Sequence, residues 1–478
     1  MSQILTIAKE EWRYWLRSRL VKIGLIVFAF LLIVTSIMTA NRVSDLRHDR
    51  LHQQEAAEQT FLNQPARHPH RMVHYGHYVF RAPTPLAQFD PGVDSVTGQS
   101  IFLEGHHQNS AMFADARASA RAGGFGGLTP AMIYQLFLPL LLIAIGHAAI
   151  VREREAQTLA PLLAQGVSGT TLYFGKAFAL LGLIAVLSLP VLVGAAVTII
   201  QGESAFVASS LFGVYFLYLS IWGAAILTIS CFVRSRGIAL GLLLIGWIFS
   251  ALLVPRIAVT LTSYSLPSEG KIITDMRMNE DLRKLGDGHN SADPAFAKLK
   301  SNLLAQYDVE SVEELPVNFR GVVATKSEEN LTNTLNAYAE TRMSRELAQS
   351  KRLDGFGILS PYVAINTASR TLAGTDLRTH HRFLREAEAL RYEFVQGLNK
   401  VHAEQLNYAD DLKRSSDAAS EQRTRVSAEN WKVLQEFRFE PYPAQARLSG
   451  ALFSLVSLLL WLFGLLLIGT LASRRIKL

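Results

Sequence analysis

The sequence predicts an all-α membrane protein with six transmembrane helices and a mostly helical extracytoplasmic domain. Of its 478 residues, 49% are hydrophobic and only 18% are charged. A chain of this size is too apolar for a soluble protein unless its apolar residues are concentrated in spans. Six stretches reach the roughly 20 residues that cross about 30 Å of hydrocarbon. A helix is required there because lipid offers backbone groups no hydrogen-bond partner.

The chain divides in order into eleven predicted parts. They are an interfacial elbow helix (1–19), the first span (20–40), a first extracytoplasmic segment (41–129), the second span (130–151), a cytoplasmic connection (152–176), the third span (177–200), the fourth span (206–232), the fifth span (237–262), a second extracytoplasmic segment (263–448), the sixth span (449–471) and a cytoplasmic tail (472–478).

The first 19 residues predict an amphipathic helix in the membrane interface. Apolar residues recur at helical spacing on one side, at Ile4, Ile7, Ala8, Trp12, Trp15 and Leu16. Charged residues, among them Arg13 and Arg17, occupy the other side. We expect the tryptophans at headgroup level and the arginines towards water and anionic lipid. The alternative is a plain membrane anchor without a protein partner.

Charges in the short connections predict the orientation. Basic residues lie in the second and fourth connections and in the tail, at Arg152, Arg154, Lys176, Arg234, Arg236, Arg474, Arg475 and Lys477. The connection 201–205 has no Lys or Arg. By the positive-inside rule both termini are cytoplasmic and both long segments lie outside. With Cys231 as its single cysteine, the chain suits a multi-pass protein of a bacterial inner membrane whose external regions have no disulfides.

The connection 152–176 carries the clearest candidate site. Glu153 and Glu155 alternate with Arg152 and Arg154 and precede a short amphipathic stretch. A soluble partner would grip such a helix and move the spans on either side. The candidate coupling residues are Arg152, Glu153, Arg154, Glu155, Thr158, Leu159, Leu162 and Leu163. The alternative is an ordinary interfacial loop with solvated charges.

This connection resembles the cytoplasmic coupling segment of ABC-2 type permeases. There an acidic-x-acidic-x-Gly-Thr-Leu sequence leads to Leu-Leu, a turn and Gly-Lys. Gly175-Lys176 completes the pattern here, and Gln157 stands where the family usually has Gly. The resemblance implies two permease chains, the same or related, and two ABC ATPase chains that hydrolyse ATP with magnesium. It also implies that the elbow helix, with Trp12, Arg13, Trp15 and Arg17, helps to cradle the ATPase.

The chain itself is not expected to be an enzyme or to bind a cofactor. Gly169 and Gly175-Lys176 are separated by five residues and followed by Ala177, whereas a phosphate-binding loop has four residues and then Ser or Thr. The span centres lack the ionisable groups that ion-driven transporters need. No nucleic-acid motif accompanies the net charge of +7, so nucleic acid is not an expected partner.

Histidines make the richest site-like cluster of the first long segment. His68, His70, His74 and His77 lie close together, and His106-His107 follow. Imidazoles at this spacing suit zinc or copper. However, no cysteine or acidic partner completes a regular ligand pattern, and the neighbouring aromatic residues indicate a packing strand. The sequence therefore predicts no metal site, and these four histidines stay candidates.

The second long segment is predicted to be mostly helical. One apolar stripe, typical of core packing, runs through Phe383, Ala387, Leu390, Phe394, Leu398 and Val401. Gly374 and Asp376 predict a turn and a helix cap. The stretch Leu372-Ala373-Gly374-Thr375-Asp376 resembles the branch of ABC-2 permeases that carries a large extracytoplasmic domain of unknown function between the last two spans.

Two functions follow from these observations. The first is a permease subunit that moves a substrate outward across, or out of, the inner membrane with ATP hydrolysed by a separate subunit. The second is an ATPase-driven mechanotransmitter or scaffold that acts on a periplasmic partner without transport. A third reading, a periplasmic metal sensor, depends entirely on the histidine cluster.

Overall fold

The computed structural model describes residues 3–112 and 127–476. In these ranges six helices are long and apolar enough to cross a membrane: Arg19–Leu62, Pro130–Glu155, Gly169–Ile200, Ala205–Phe232, Arg236–Ser265 and Ala444–Ser473. The predicted fold class, an all-α membrane protein with six apolar helices, is confirmed. Of the charges used to predict orientation, Lys477 lies outside the described residues.

The described elements are as follows. In chain order they are α1 (Gln3–Arg17), α2 (Arg19–Leu62), α3 (Pro69–Tyr75), β1 (His77–Phe80), α4 (Asp94–Thr97), β2 (Ser100–Leu103), α5 (Pro130–Met132), α6 (Leu138–Gly146), α7 (Val151–Glu155), α8 (Leu159–Ala164), α9 (Gly169–Ile200), α10 (Ala205–Phe232), α11 (Arg236–Ile248), α12 (Val254–Ser265), α13 (Lys271–Arg283), α14 (Ala297–Tyr307), α15 (Phe319–Gly355), α16 (Pro361–Ala373), α17 (Leu377–Gln405), α18 (Tyr408–Lys413), α19 (Ala418–Arg423) and α20 (Ala444–Ser473).

All six apolar helices share one core. It contains Phe28 of α2, Leu142 of α6, Leu183 of α9, Tyr218 of α10, Leu243 of α11 and Leu458 of α20, each at most 7% exposed. The opposite faces of these helices are also apolar and are open. A face of that kind suits lipid rather than water.

Helix α2 is much longer than a membrane crossing needs. Its 44 residues extend about 66 Å at about 1.5 Å per residue, roughly twice the hydrocarbon thickness. Past the apolar half, Gln54 accepts a hydrogen bond from the backbone of Phe80 at 2.8 Å and Phe61 is buried. The first apolar helix therefore continues without a break into the domain beyond the bundle.

Two apolar helices contain a π-helical turn, at Ile133–Phe137 and Phe249–Leu253. In the first, the carbonyl of Gln135 accepts a hydrogen bond from the Tyr218 hydroxyl at 2.7 Å. In the second, the carbonyl of Ser250 accepts one from the Ser360 hydroxyl at 2.7 Å. A π turn leaves carbonyls for such external bonds, so neighbouring elements attach to the helices at these points.

The two ends of the bundle differ. At one, the basic end, lie α1, residues 147–168, the turn 233–235 and the C-terminus of α20; here Gly169 contacts Ser473. At the other lies the distal domain, made of residues 41–112 and 266–443. Its core gathers Met72 and Val79 from the first long segment with Phe394 and Trp431 from the second. Both long segments thus build one domain.

Apart from loops and isolated bridges, the described part of the distal domain is helical except for one two-stranded antiparallel sheet. Strands β1 and β2 pair with Tyr78 opposite Phe102. Helices α15 and α17 run antiparallel, because His381 bonds Glu346 while Gln396 bonds the backbone of Thr325. The predicted stripe on α17 is core packing: its six members, Phe383, Ala387, Leu390, Phe394, Leu398 and Val401, are all buried.

Helix α16 belongs to the second long segment but packs among the apolar helices. Ala364, Ile365 and Leu372 are part of the bundle core. The predicted turn and cap follow it. Gly374 has a φ of +69°, and the Asp376 carboxylate accepts from the backbone N–H of Thr379 at 3.0 Å. Since the turn ends α16 and begins α17, these residues have a structural role.

Candidate functional site

The candidate site is the basic end, where α1 packs across the connection between the second and third apolar helices. Helix α9 allows a close approach at Gly175, because a Cβ there would lie 2.7 Å from the Ile7 side chain. Seven residues on, a Cβ at Gly182 would lie 3.4 Å from Nε1 of Trp12. The two glycines lie on one face of α9, two turns apart, and form a shallow channel for α1.

Four charged side chains join α1, α7 and α9. Glu11 binds Arg152 at 2.6 Å and also pairs with Lys176. Lys176 in turn binds Glu153 at 2.9 Å, and Arg152 lies 3.4 Å from Glu153. Glu11 and Lys176 are 2% and 4% exposed. Two acids and two bases therefore close a charge-balanced cluster inside the protein. We call Glu11, Arg152, Glu153 and Lys176 the four-charge cluster.

The next two charged residues attach α7 to the turn between the fourth and fifth apolar helices. Arg154 donates to the backbone carbonyls of Cys231 at 2.7 Å and Val233 at 2.6 Å, at the C-terminus of α10. Glu155 accepts from the backbone N–H of Arg236 at 2.7 Å, at the start of α11. A cation at a helix C-terminus and an anion at an N-terminus both oppose the local helix dipole favourably.

Two consecutive left-handed turns shape the connection. Gln157 ends α7 with a φ of +56°, and Gly166 ends α8 with a φ of +83°. At each turn the following residue donates back, from Thr158 to the carbonyl of Glu153 at 3.0 Å and from Val167 to that of Leu162 at 3.2 Å. These are Schellman motifs, which glycine favours. Gln157 thus takes the conformation that the family's usual glycine would adopt.

The Gln157 turn makes a direct prediction. Because a non-glycine residue in the left-handed region costs about 1–2 kcal/mol, while glycine also loosens the unfolded chain, Gln157→Gly should raise the free energy of unfolding by about 0.5–1 kcal/mol. Gln157→Val should lower it by at least as much, since a β-branched residue tolerates this φ least. Denaturant unfolding in detergent measures both. Equal stability of the two variants would contradict the assigned turn.

Helix α8 presents one face inward and one outward. Leu159 and Leu163 pack against the bundle core, and Leu162 is half-buried. The outward residues are Ala160, Pro161, Ala164 and Gln165, which we call the exposed tip. The Thr158 hydroxyl donates to the Glu153 carboxylate at 2.7 Å and so ties the start of α8 to the four-charge cluster.

The predicted coupling residues are therefore brought together, but most of their charges face inward. Glu11 completes their cluster and is absent from the predicted set. Its signal in the sequence is an acid on the apolar face of α1, between Ala8 and Trp15 at helical spacing. On the elbow helix Arg13 and Arg17 are exposed, whereas Trp15 is only 2% exposed. Trp15 therefore packs inside the protein rather than facing lipid.

The four candidate histidines of the first long segment divide among three places. His77 is buried beside Phe61, with ring centroids 6.0 Å apart. His68 lies 3.2 Å from the buried carboxylate of Asp411. Burial, opposed by the hydrogen bond to Asp411, lowers the pKa of His68 to about 4. His70 and His74 face each other with 3.2 Å between their Nε2 atoms.

Two buried residues whose side chains would suit acid-base or nucleophilic chemistry make hydrogen bonds that hold elements of the fold together. His381 bonds Glu346 at 2.7 Å, and Ser360 bonds Ser250 of the second π turn. Neither is joined to a nucleophile, base and oxyanion site in the part of the chain described, which is what an acyl-transfer or hydrolytic centre requires.

Two family models match the chain. Residues 111–262 match the model described as ABC-2 family transporter protein, and residues 271–440 match Domain of unknown function (DUF3526). No curated protein matches the chain. The first match covers the connection with the candidate coupling residues, and the second covers most of the distal domain's second segment. The family is one of transmembrane subunits and implies an ABC ATPase partner and a lipid bilayer. The chain is therefore a multi-pass membrane protein that carries an ABC-2 family transporter domain over residues 111–262 and, before its last apolar helix, a DUF3526 domain over residues 271–440.

Proposed function

We propose that this permease moves a substrate outward across, or out of, a bacterial inner membrane, driven by ATP and magnesium in a separate ATPase subunit. In this proposal the basic end is cytoplasmic, the distal domain is periplasmic, and a second permease chain, the same or related, completes the assembly. The four-charge cluster carries the proposal. Because it joins α1, α7 and α9 through buried ion pairs, a push on the connection would move these helices as one unit.

In this proposal the ATPase contacts the exposed tip rather than the charged side chains of Arg152, Glu153 and Arg154. All three side chains already form hydrogen bonds within the chain: Arg152 with Glu11, Glu153 with Lys176, and Arg154 with the carbonyl of Val233. Ala160, Pro161 and Ala164 offer a small apolar surface on a helix held by the motifs at Gln157 and Gly166. A helix with apolar residues outward is a frequent way to fill a groove on a partner.

Arginine at the exposed tip should disrupt docking without disturbing the fold. We expect Ala164→Arg, in lipid nanodiscs with the candidate ATPase, to weaken complex formation at least tenfold and to remove any effect of the permease on ATP hydrolysis. A long charged side chain there would enter the apolar contact while pointing away from the bundle.

The matched control is Ala56→Arg, an exposed alanine on α2 in the distal domain. It introduces the same side chain on a helix at the opposite end, so it should leave binding and hydrolysis unchanged. Unaltered binding by Ala164→Arg, with the same thermal stability as the parent, would place the ATPase elsewhere and defeat the proposed docking mode.

A mechanotransmitter is the second candidate, because a chain of buried polar groups links the bundle to the distal domain. Gln135 of the first π turn donates to Tyr215 at 2.7 Å, and Tyr215 lies 2.8 Å from Ser369 of α16. Ser369 in turn donates at 2.5 Å to Asp90 of the first long segment. Together with the unbroken α2, these bonds would pass movement of the apolar helices outward.

A label on the distal domain separates the two functions. Cys231 is buried, so a fluorophore on Ala56→Cys would report from one place. ATP-dependent movement of the label with no efflux of any screened substrate would favour the mechanotransmitter. Substrate-stimulated hydrolysis together with vesicle efflux would favour transport.

A further inference from the structure

We propose that His70, His74, His106 and His289 form a binding site for one divalent ion of the zinc and copper class. One potential ligand atom from each residue lies within 4.8 Å of the other three. His70 and His74 are four residues apart on α3, so their rings project from the same side. The other two histidines come from the loop after β2 and the loop after α13, and the site joins both long segments.

The donors fit this class of metal. Neutral imidazole is a preferred ligand of Zn²⁺ and Cu²⁺, whereas Mg²⁺ and Ca²⁺ take oxygen ligands. With zinc–nitrogen distances of about 2.0–2.1 Å, tetrahedral nitrogens lie about 3.3 Å apart. The Nε2 atoms of His70 and His74 are already 3.2 Å apart. Small ring rotations at the other two residues would complete the set.

His106 is held as a ligand would be. Its Nδ1 lies 3.0 Å from the carboxylate of Glu328, which is fully buried. Glu328 is itself bound by Arg391 at 2.5 Å. A neutral imidazole that donates from Nδ1 keeps an unprotonated Nε2, the arrangement that outer-shell carboxylates impose on metal-binding histidines. This Nε2 is buried and has no hydrogen-bond partner among the residues described. His106 also has a φ of +66°, a strained conformation that its surroundings maintain.

The loop that carries His289 is held close to the other three histidines. Asp287 lies 3.3 Å from the Nδ1 of His289 and also accepts from its backbone N–H at 2.9 Å. At Gly288 a Cβ would lie 2.1 Å from the hydroxyl of Ser327, so only glycine lets the loop lie this close to α15. His289 thus has its own carboxylate on Nδ1, as His106 does.

The position of the site indicates what metal binding would do to the distal domain. His74 and His289 are exposed while His70 and His106 are half-buried, so an ion would enter from solvent and still be held against the protein. Binding would close the loop 286–293 onto α3 and fix the two long segments together. The distal domain would then respond to the metal concentration on its own side of the membrane, which the proposed function takes to be the periplasm.

The test uses the full chain in nanodiscs, freed of metal with a chelator and titrated separately with Zn²⁺ and Cu²⁺ by calorimetry. We expect one ion per chain and a rise in the thermal midpoint that the chelator reverses. Copper should show hyperfine coupling to several imidazole nitrogens in electron paramagnetic resonance. His106→Ala and His74→Ala should each weaken binding at least tenfold.

The control is His107→Ala, the neighbouring exposed histidine outside the cluster, which should bind like the parent. Because the side chain of His74 is exposed, His74→Ala should fold as the parent does. A loss of binding by this variant would therefore not be due to misfolding. The proposal is overturned if neither ion binds at one per chain, if His106→Ala and His74→Ala bind as the parent does, or if His107→Ala weakens binding as strongly as they do.

Discussion

Replacing Glu11 by alanine is expected to destabilise the chain by about 3–5 kcal/mol and to abolish the effect of the permease on its ATPase. The substitution leaves Lys176 buried and Arg152 half-buried with only Glu153 between them. An uncompensated buried charge costs this much, because its desolvation is no longer offset by the lost partner. Denaturant unfolding in detergent and ATP hydrolysis of the reconstituted complex measure the two effects.

Two further variants make this expectation specific. Glu10→Ala removes an exposed acid on the same turn, whose partner Arg13 is also exposed, and should leave the unfolding midpoint unchanged. Glu11→Leu combined with Lys176→Met should recover much of the stability, since a buried ion pair is replaced by apolar side chains. If Glu11→Ala unfolds at the same denaturant concentration as the parent, the four-charge cluster does not hold the basic end together.

At the basic end, the sequence motif identifies the connection but not the residues that pack against it. The pattern from Glu153 to Gly175-Lys176 identifies the connection because it is local in the sequence. The reasons for it are not local. Gly175 is needed where Ile7 approaches, and Lys176 is needed opposite Glu11. In the sequence, Glu11 is recognisable only as an acid on the apolar face of a helix. A glutamate that is solvated or that caps a helix could occupy the same position.

In the distal domain, the helices can be predicted from the sequence but the contacts between distant residues cannot. Composition and periodicity predict its helices and the apolar stripe of α17, because those signals repeat within one segment. The histidine clusters could not be assigned, since His289 lies more than 180 residues after His106 and no periodicity connects them. The same holds for His68 and Asp411. Pairings across a long insertion are set by tertiary packing, which the order of residues does not reveal.

The second large effect is expected at the opposite end of the bundle, where Arg447→Leu should cost about 3–5 kcal/mol. Arg447 lies in the first turn of the last apolar helix and binds both oxygens of Glu203, at 2.8 and 3.2 Å. It also donates from Nε to the carbonyl of Leu372, at the C-terminus of α16, at 2.8 Å. The arginine and glutamate side chains are 3% and 5% exposed, so leucine would leave a buried carboxylate without its partner.

Arg385→Leu is the matched control for burial. Arg385 binds Glu340 with the same two-bond geometry, at 2.6 and 2.8 Å, but both side chains are roughly half exposed. Water screens such a pair, and its loss should cost less than about 1 kcal/mol. In detergent, the free energy of unfolding of Arg447→Leu should therefore be well below that of Arg385→Leu. Similar losses for both would mean that the Glu203–Arg447 pair is hydrated in the membrane-bound protein. The connection between α16 and the last apolar helix would then depend on apolar packing alone.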